Sequence, residues 1–201
     1  MATASATPKP LYITGKPDAD KLLHNNGLAL MIGMLLDQQV PMEWAFAGPF
    51  TLKTRLGHFN IKKIAEMNPD DLLAICLQKP AIHRFPASMA KRIHDVCKIL
   101  VRDYKGKAEN MWADITTAQE LMARLRVLPG YGEEKSQIFV ALIAKRMDIK
   151  LLGWKAAAGE FGDTKFRTVA DITSPETLLK VRATKKAQKA AGRDKQDKPL
   201  R

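Results

Sequence analysis

The sequence lacks any run of about eighteen apolar residues, the length that a helix needs to cross a membrane. Its first ten residues, Met1–Pro10, also lack the charged-then-apolar order of a secretory signal peptide. Cysteine is scarce: Cys76 and Cys97 are the only two, and both fall in helical apolar patterns where a buried thiol is usual. These absences exclude a membrane-spanning protein, and they predict a cytoplasmic chain with no membrane partner.

Internal repeats and patterns typical of β-strands are also absent from the sequence. Apolar residues recur instead at helical spacings of three and four, for example at Ile93, Val96, Cys97, Leu100 and Val101. The stretch Leu28–Leu36 is apolar nearly all round, as expected of a buried central helix. We therefore predict an all-α fold.

The composition suggests three parts. Residues 1–11 are small, polar and proline-bearing, and we expect them to be disordered. Residues 12–182 carry the helical patterns and form the predicted domain. Residues 183–201 are rich in lysine and alanine, and we expect a basic C-terminal tail that extends away from the body.

The charge balance favours a polyanionic partner. The chain has 33 Lys and Arg against 21 Asp and Glu, a net charge of +12. Nucleic acid is the commonest partner of such a chain. More than half of the excess lies between Lys180 and Arg201, so the charge says less about the folded domain than about the tail.

Residues 117–146 have the pattern of a helical hairpin. A polar helix at about Thr117–Val127 is followed by Pro129-Gly130-Tyr131-Gly132 and then by a strongly apolar helix. Both glycines can adopt a positive φ, which allows a tight corner. Their bare backbone would leave amide groups at the start of the second helix free to bind a phosphate. An ordinary corner between two helices has the same pattern, and the two interpretations remain open.

Three motifs together resemble the helix–hairpin–helix DNA glycosylases, the superfamily of endonuclease III and the adenine glycosylases. The first is Leu128-Pro-Gly-x-Gly132 with its apolar helix, and the second is Leu35-Leu36-Asp37-Gln38-Gln39 upstream. The third, Arg84–Ile93, is similar to the turn and basic helix start that precede the hairpin in those enzymes. Their order and approximate spacing agree with the family over residues 28–150.

The resemblance implies a two-lobed helical fold and a DNA glycosylase for base excision repair. Its partner would be double-stranded DNA with a damaged or mismatched base, bound by a monomer. The implied DNA-binding residues are Gln38, Gln39, Arg84, Lys91, Arg92, Gly130, Gly132 and Lys135, with Gln39 entering the duplex. A monovalent cation on carbonyls of the hairpin is implied as the only cofactor. The iron–sulfur cluster of some relatives is not expected, because no cysteine follows Cys97.

The catalytic residues of the family are not matched. At the distance from the hairpin leucine where the family has its aspartate, this chain has Leu152, and the lyase lysine of the bifunctional members falls at Glu134, next to Lys135. Asp37 is the best candidate for a replacement acid, because it adjoins Gln38 and Gln39 at the end of an apolar helix. Asp148, Glu160 and Asp163 are the alternatives.

Two functions of different classes therefore compete. One is a glycosylase in which Asp37 stabilises the positive charge that develops on the sugar as the base leaves. The other is a non-catalytic helix–hairpin–helix DNA-binding protein that has lost the aspartate. A less favoured third function is an RNA-associated helical protein that uses the lysine-rich tail. A carboxylate that faces a cleft beside Gln38 and Gln39 would favour the glycosylase, whereas an apolar plug would favour the binding protein.

Overall fold

The computed structural model describes residues 10–196, 198 and 199, and within these residues it contains helices and no strand. The α-helices are α1 (Pro17–Asn25), α2 (Gly27–Leu36), α3 (Met42–Leu56), α4 (Ile61–Glu66), α5 (Pro69–Leu77), α6 (Pro86–Tyr104), α7 (Asn110–Ala113), α8 (Ala118–Arg126), α9 (Glu133–Arg146), α10 (Trp154–Ala158) and α11 (Pro175–Ala190). Two 3₁₀ helices, Gly159–Gly162 and Val169–Asp171, precede α11. The predicted all-α class is confirmed. No helix of the described residues is both long and apolar enough to span a membrane.

The central helix α2 joins two groups of helices. All ten of its residues are buried, as its apolar sequence predicts. It packs on α1 and α3 and contacts α6, which in turn carries α4 and α5. On its other side it contacts α9, which packs against α8, α10 and the 3₁₀ helices. This arrangement is the two-lobed one that the resemblance implies, with α2 between the lobes.

The hairpin consists of α8 and α9. Thr117 and Glu120 form a reciprocal capping box at the start of α8, which satisfies amide groups that the first turn leaves unpaired. Tyr131, between the two glycines of the turn, is buried, and its hydroxyl donates to the carbonyl of Met31 in α2 at 2.7 Å. The turn of the hairpin is therefore fixed to the central helix by a buried hydrogen bond.

Helix α6 begins at Pro86, with Phe85 in the capping position. Proline suits a first helical turn, where its missing amide hydrogen would have no partner. The composition predicts an N-terminal tail up to residue 11, but Leu11 is buried in the core. Residues 1–9 lie outside the described residues.

The expectation that the basic tail leaves the body at residue 183 is wrong for the residues that the structure describes. Helix α11 continues to Ala190, and Gln188 in its last turn is buried. After Gly192 the chain turns back, and the ammonium of Lys195 lies 3.2 Å from the carboxylate of Glu134 in α9. The described part of the tail therefore contacts the hairpin through Lys195.

Candidate functional site

The candidate site lies where α2 ends. Asp37 caps the helix, and its amide donates to the carbonyls of Gly33 and Met34 at 3.1 and 3.3 Å. Its carboxylate is half-buried, whereas Gln39 two residues later is exposed. Gln39 has a φ of +55°, in the left-handed region that residues other than glycine seldom adopt. The turn thus exposes the side chain of Gln39 to solvent, at the cost of backbone strain.

The side chain of Gln38 is used inside the protein. Its amide nitrogen donates to the carbonyl of Leu35 at 3.0 Å and lies 3.4 Å from the sulfur of Met89 in α6. Its amide oxygen accepts from the guanidinium of Arg92 at 3.3 Å. Gln38 therefore joins α2 to α6, and Gln39 is the glutamine with a side chain available to a ligand.

A loop that includes His83 supports the same turn. The ring of His83 is buried; its Nε2 donates to the carbonyl of Gln38 at 2.9 Å, because its Nδ1 accepts the amide of Phe85 at 3.0 Å. Burial lowers the pKa of His83, and the nearby charges of Lys135 and Arg92 add to this effect. The neutral ring is thus the form that suits both hydrogen bonds.

Exposed aromatic side chains flank His83. The rings of Trp44 and Phe85 lie 6.5 and 6.0 Å from the imidazole, and their side chains are 40% and 44% exposed. The guanidinium of Arg84 lies 5.3 Å from the Phe85 ring. This surface, which we call the aromatic platform (Trp44, His83, Phe85), was not predicted from the sequence. The helical pattern around Trp44 predicts a core residue, although the neighbours Arg84 and Pro86 could have marked Phe85 as a surface residue.

The hairpin turn packs directly against the end of α2. The amide of Tyr131 donates to the carbonyl of Leu128 at 3.1 Å, and Gly130 has a φ of +84°, as in a type II turn. A Cβ atom on Gly130 would lie 2.5 Å from a methyl carbon of Leu35 and 3.2 Å from Cδ of Arg92. Gly130 is therefore required both by its backbone conformation and by space.

Gly132 differs from Gly130. Its φ is −86°, and no atom lies within 4 Å of the place that a Cβ would take. The prediction that it adopts a positive φ is wrong. It occupies the capping position of α9, where no described side chain caps the helix. Because the first intrahelical bond is donated by Ser136, the amides of residues 133–135 remain available at this helix start.

Both glutamates at the start of α9 have basic partners. Glu133 pairs with Arg126 of α8 at 3.0 Å, and Glu134 pairs with Lys195 at 3.2 Å. Acidic residues in a first turn oppose the helix dipole favourably. Their negative charge is balanced by cations from two different parts of the chain.

Lys135 links the hairpin to the end of α2. Its ammonium donates to the carbonyl of Leu35 at 2.6 Å. Burial lowers its pKa to about 8, although the negative charge of Asp37 partly opposes this effect. The lysine thus lies beside Asp37 and contacts the backbone of the helix that carries it.

A cleft of about 400 Å³ opens beside Asp37. One wall is formed by residues 37–40 and the other by Glu134, α11 and the following turn, namely Lys185, Gln188, Lys189, Arg193, Asp194 and Lys195. The amine of Lys185 lies 3.6 Å from the sulfur of Met42, and burial lowers its pKa. The residues that line the cleft are therefore mainly polar or charged, and no apolar plug from the described residues closes it.

The alternative acids are held by other residues. Glu160 and Asp163 both pair with the guanidinium of Arg167, at 3.3 and 3.1 Å. Asp148 is exposed and pairs with Lys150, just beyond the end of α9. None of these three carboxylates lines the cleft beside Asp37.

Leu152 is far from the hairpin turn. Its amide donates to Thr116 and its carbonyl accepts from Ala118, at the start of α8, and its side chain is 75% exposed. The hairpin turn follows the C-terminal end of α8, whereas Leu152 contacts the N-terminal end of the same helix. The position at which the family count places an aspartate is thus outside the candidate site.

The structure brings most of the predicted site residues together. Asp37, Gln38, Gln39, Arg92, Gly130 and Lys135 meet at the end of α2 through the contacts given above. Arg84 joins them only through the aromatic platform. Lys91 is exposed on α6, where it pairs with Asp95 at 2.6 Å. The roles of these residues in DNA binding stay predictions.

Comparison with known proteins gives one match. The model of the family described as HhH-GPD superfamily base excision DNA repair protein matches residues 32–171. No curated protein and no solved structure matches the chain. The last matched residue, Asp171, is a buried carboxylate that accepts from the ammonium of Lys145 at 2.6 Å and from the amides of Arg167 and Thr168. Asp171 thus links the second 3₁₀ helix, Val169–Asp171, to the end of α9.

Proposed function

The chain belongs to the HhH-GPD superfamily of base excision DNA repair proteins, and from this we propose that it is a DNA glycosylase with Asp37 as its catalytic acid. The enzyme takes double-stranded DNA, turns a damaged or mismatched base out of the helix and hydrolyses its N-glycosidic bond. It acts as a monomer.

The observation that carries the proposal is the pair Asp37 and Gln39 at the end of a fully buried helix. Gln39 is exposed in a turn with a defined backbone conformation, which supports our proposal that its side chain fills the gap that a flipped nucleotide leaves. Asp37 is half-buried and lines the adjoining polar cleft. A carboxylate beside such a cleft is what the excision chemistry needs.

Excision breaks the bond between C1′ of the sugar and the base nitrogen. Positive charge develops on the sugar as the bond breaks, and the carboxylate of Asp37 stabilises it. The base leaves with the bonding electron pair and takes up a proton. Water adds to C1′ and loses its own proton, which leaves an abasic sugar.

The hairpin supplies an anchor on the DNA that does not depend on sequence. The uncapped amides at the start of α9 and the positive end of its dipole suit a phosphate group. Arg92, Lys91 and Arg84 add positive charge from α6 and its preceding loop. The aromatic platform adds surfaces on which bases can stack.

One observation favours the second function, a non-catalytic DNA-binding protein. Leu152 stands at the expected place of the family's aspartate, and the acids nearest to it in sequence are all paired: Asp148 with Lys150, and Glu160 and Asp163 with Arg167. No acid in the segment around Leu152 therefore takes the place of the family's aspartate, since each one is held in an ion pair. The catalytic proposal thus depends on Asp37.

The experiment is a panel of duplexes, each with one lesion or mismatch, incubated with the wild type and with Asp37→Asn. Abasic sites and strand breaks are scored separately, and binding is measured on the same duplexes. Asp148→Asn is the matched control, because it makes the same change at an exposed aspartate outside the cleft.

We expect the wild type and Asp148→Asn to excise at least one base. Asp37→Asn should bind that duplex nearly as well and excise it more slowly by orders of magnitude, because it loses an interaction needed mainly in the transition state. Normal excision by Asp37→Asn would reject Asp37 and keep the enzyme class. Binding of damaged duplex without excision by the wild type would favour the non-catalytic protein.

A further inference from the structure

The turn after α11 covers one side of the candidate site. We call residues 191–196 the strap. Its second residue, Gly192, has a φ of +64° and no atom near the place of a Cβ. Helix α11 leads to it past α3, where Arg182 pairs with Glu43 and Lys185 contacts Met42. The strap therefore lies next to residues 37–40, across the cleft from Gln39.

Two contacts of Lys195 join the strap to different parts of the protein. Its ammonium pairs with Glu134 at the start of α9, and its carbonyl accepts from the guanidinium of Arg167 at 3.4 Å. The carboxylate of Asp194 accepts from the amide of Gln196 within the strap and from the amide of Lys198 beyond it, which keeps the turn compact. Lys195 thus connects the strap both to the start of α9 and to Arg167.

The closing contact is weakly held. The side chains of Lys195 and Glu134 are 29% and 40% exposed, and an ion pair with this much access to water contributes little to stability. A phosphate group offers the same ammonium a stronger, charge-assisted partner. The pair can therefore be exchanged at small cost when a polyanion arrives.

The cleft behind the strap is rich in cations. Lys185, Lys189, Arg193 and Lys195 line it, against the carboxylates of Asp37, Glu134 and Asp194. The positive charge of Lys195 also contributes to the lowered pKa values of Lys135 and Lys185, after burial. A phosphate that enters the cleft would relieve this repulsion between cations.

We propose that the strap, in the closed position seen here, narrows the cleft of the free protein, and that the backbone of duplex DNA moves the strap away by replacing Glu134 with a phosphate as the partner of Lys195. This inference rests on the proposed function, since it takes DNA as the ligand of the same site. Lys195 is then a phosphate-binding residue of the open form, and Glu134 is the group that holds it in the closed form.

Carbodiimide cross-linking tests the exchange directly, because it joins only a carboxylate and an amine that are in contact. The free wild type should give the Glu134–Lys195 link, detected by mass spectrometry of the digest. A short undamaged duplex, added at a concentration where binding is seen by fluorescence anisotropy, should reduce the link several-fold. The exposed pair Lys62 and Glu66 on α4, 3.8 Å apart, is the internal reference and should keep its yield.

Glu134→Gln and Glu133→Gln form the matched pair of variants. Each removes one negative charge from the first turn of α9, but Glu133 pairs with Arg126 and not with the strap. We expect Glu134→Gln to bind duplex several-fold more tightly than Glu133→Gln, because only Glu134→Gln frees Lys195. Equal affinities of the two variants would overturn the inference.

The remaining outcomes separate this inference from the proposed function. Duplex that binds without reducing the Glu134–Lys195 link overturns the strap and leaves the function standing. The absence of the link in the free protein does the same. Failure of the wild type and of Glu134→Gln to bind any duplex, damaged or not, overturns both.

Discussion

The ammonium of Lys135, in the first turn of α9, donates a 2.6 Å hydrogen bond to the carbonyl of Leu35, in the last turn of α2. The last carbonyls of a helix have no partner within the helix, and a lysine is a favourable one because it also opposes the helix dipole. The hairpin turn and the turn that carries Asp37 and Gln39 are thereby joined through one half-buried side chain. Movement of either turn would strain the other.

We predict that Lys135 makes stability depend on pH. Its pKa is lowered from 10.5 to about 8 by burial, so between these values the unfolded chain binds a proton that the folded protein has released. Stability should therefore rise as pH increases from about 8 to 10.5. The rise should be about 1–3 kcal/mol, because a difference of one in pKa between the folded and unfolded states corresponds to about 1.36 kcal/mol.

Urea unfolding at several pH values checks this prediction on the wild type, Lys135→Met and Lys150→Met. Lys150 is an exposed lysine whose replacement should leave the pH profile unchanged. Lys135→Met should lack the rise. A wild-type profile parallel to that of Lys135→Met would show that the lysine is not desolvated in solution.

The hairpin glycines should differ in their tolerance of substitution. Gly130→Ala places a methyl group at a φ of +84° and against Leu35, so we expect a loss of about 2–4 kcal/mol from strain and overpacking. Gly132→Ala adopts an ordinary φ with open space around it and should cost about 1 kcal/mol or less. Thermal or urea unfolding measures both, and similar losses would contradict the described turn.

The aromatic platform should contribute to DNA affinity. We predict that Trp44→Ala and Phe85→Ala each weaken duplex binding by about tenfold, since stacking of a base on an aromatic ring is worth about 1–3 kcal/mol. Leu152→Ala is the control, because it removes an exposed apolar side chain at the far end of the hairpin. Anisotropy titrations at fixed salt measure the affinity of all three variants for duplex DNA. An equal effect of Leu152→Ala would indicate that the loss of any exposed apolar side chain weakens binding, and would contradict a specific role of the platform.

Local patterns in the sequence were sufficient to predict most of the fold. The apolar stretch Leu28–Leu36 forms the buried helix α2, and the polar helix predicted at about Thr117–Val127 is α8. These features depend on residues close in the chain, so they are readable from spacing and capping chemistry. The path of the C-terminal residues was not predicted, because Lys195 meets Glu134 through a contact between distant parts of the chain.

The candidate site was predicted only in part, because local motifs do not show features that depend on the folded structure. The motifs located Asp37, Gln39 and Gly130, but they did not distinguish the inward Gln38 from the outward Gln39. That difference arises from the positive φ of Gln39, which no pattern of residue types signals. Lys185 was missed altogether, because its place in the cleft depends on how α11 crosses α3.

Gln39 gives the sharpest prediction, because its replacement by glycine should lower the rate of excision and raise the stability of the fold. A flipped nucleotide leaves a gap in the duplex, and without a side chain in the gap the stack closes again, because flipping costs a few kcal/mol. Gln39→Ala and Gln39→Gly both remove that side chain. We expect each to weaken binding of a damaged duplex and to slow excision about tenfold or more.

The two variants should differ in stability. Glycine adopts the φ of +55° without strain, so Gln39→Gly should be more stable than Gln39→Ala by about 1 kcal/mol. Gln38→Ala serves as the contrasting variant, since it loses contacts with Leu35, Met89 and Arg92 and should unfold more easily. If Gln39→Gly gains stability and loses excision, the strain at this turn serves the DNA contact and not the fold. If it keeps full excision, Gln39 does not enter the duplex, and the exposed residues of the aromatic platform become the better candidates for that role.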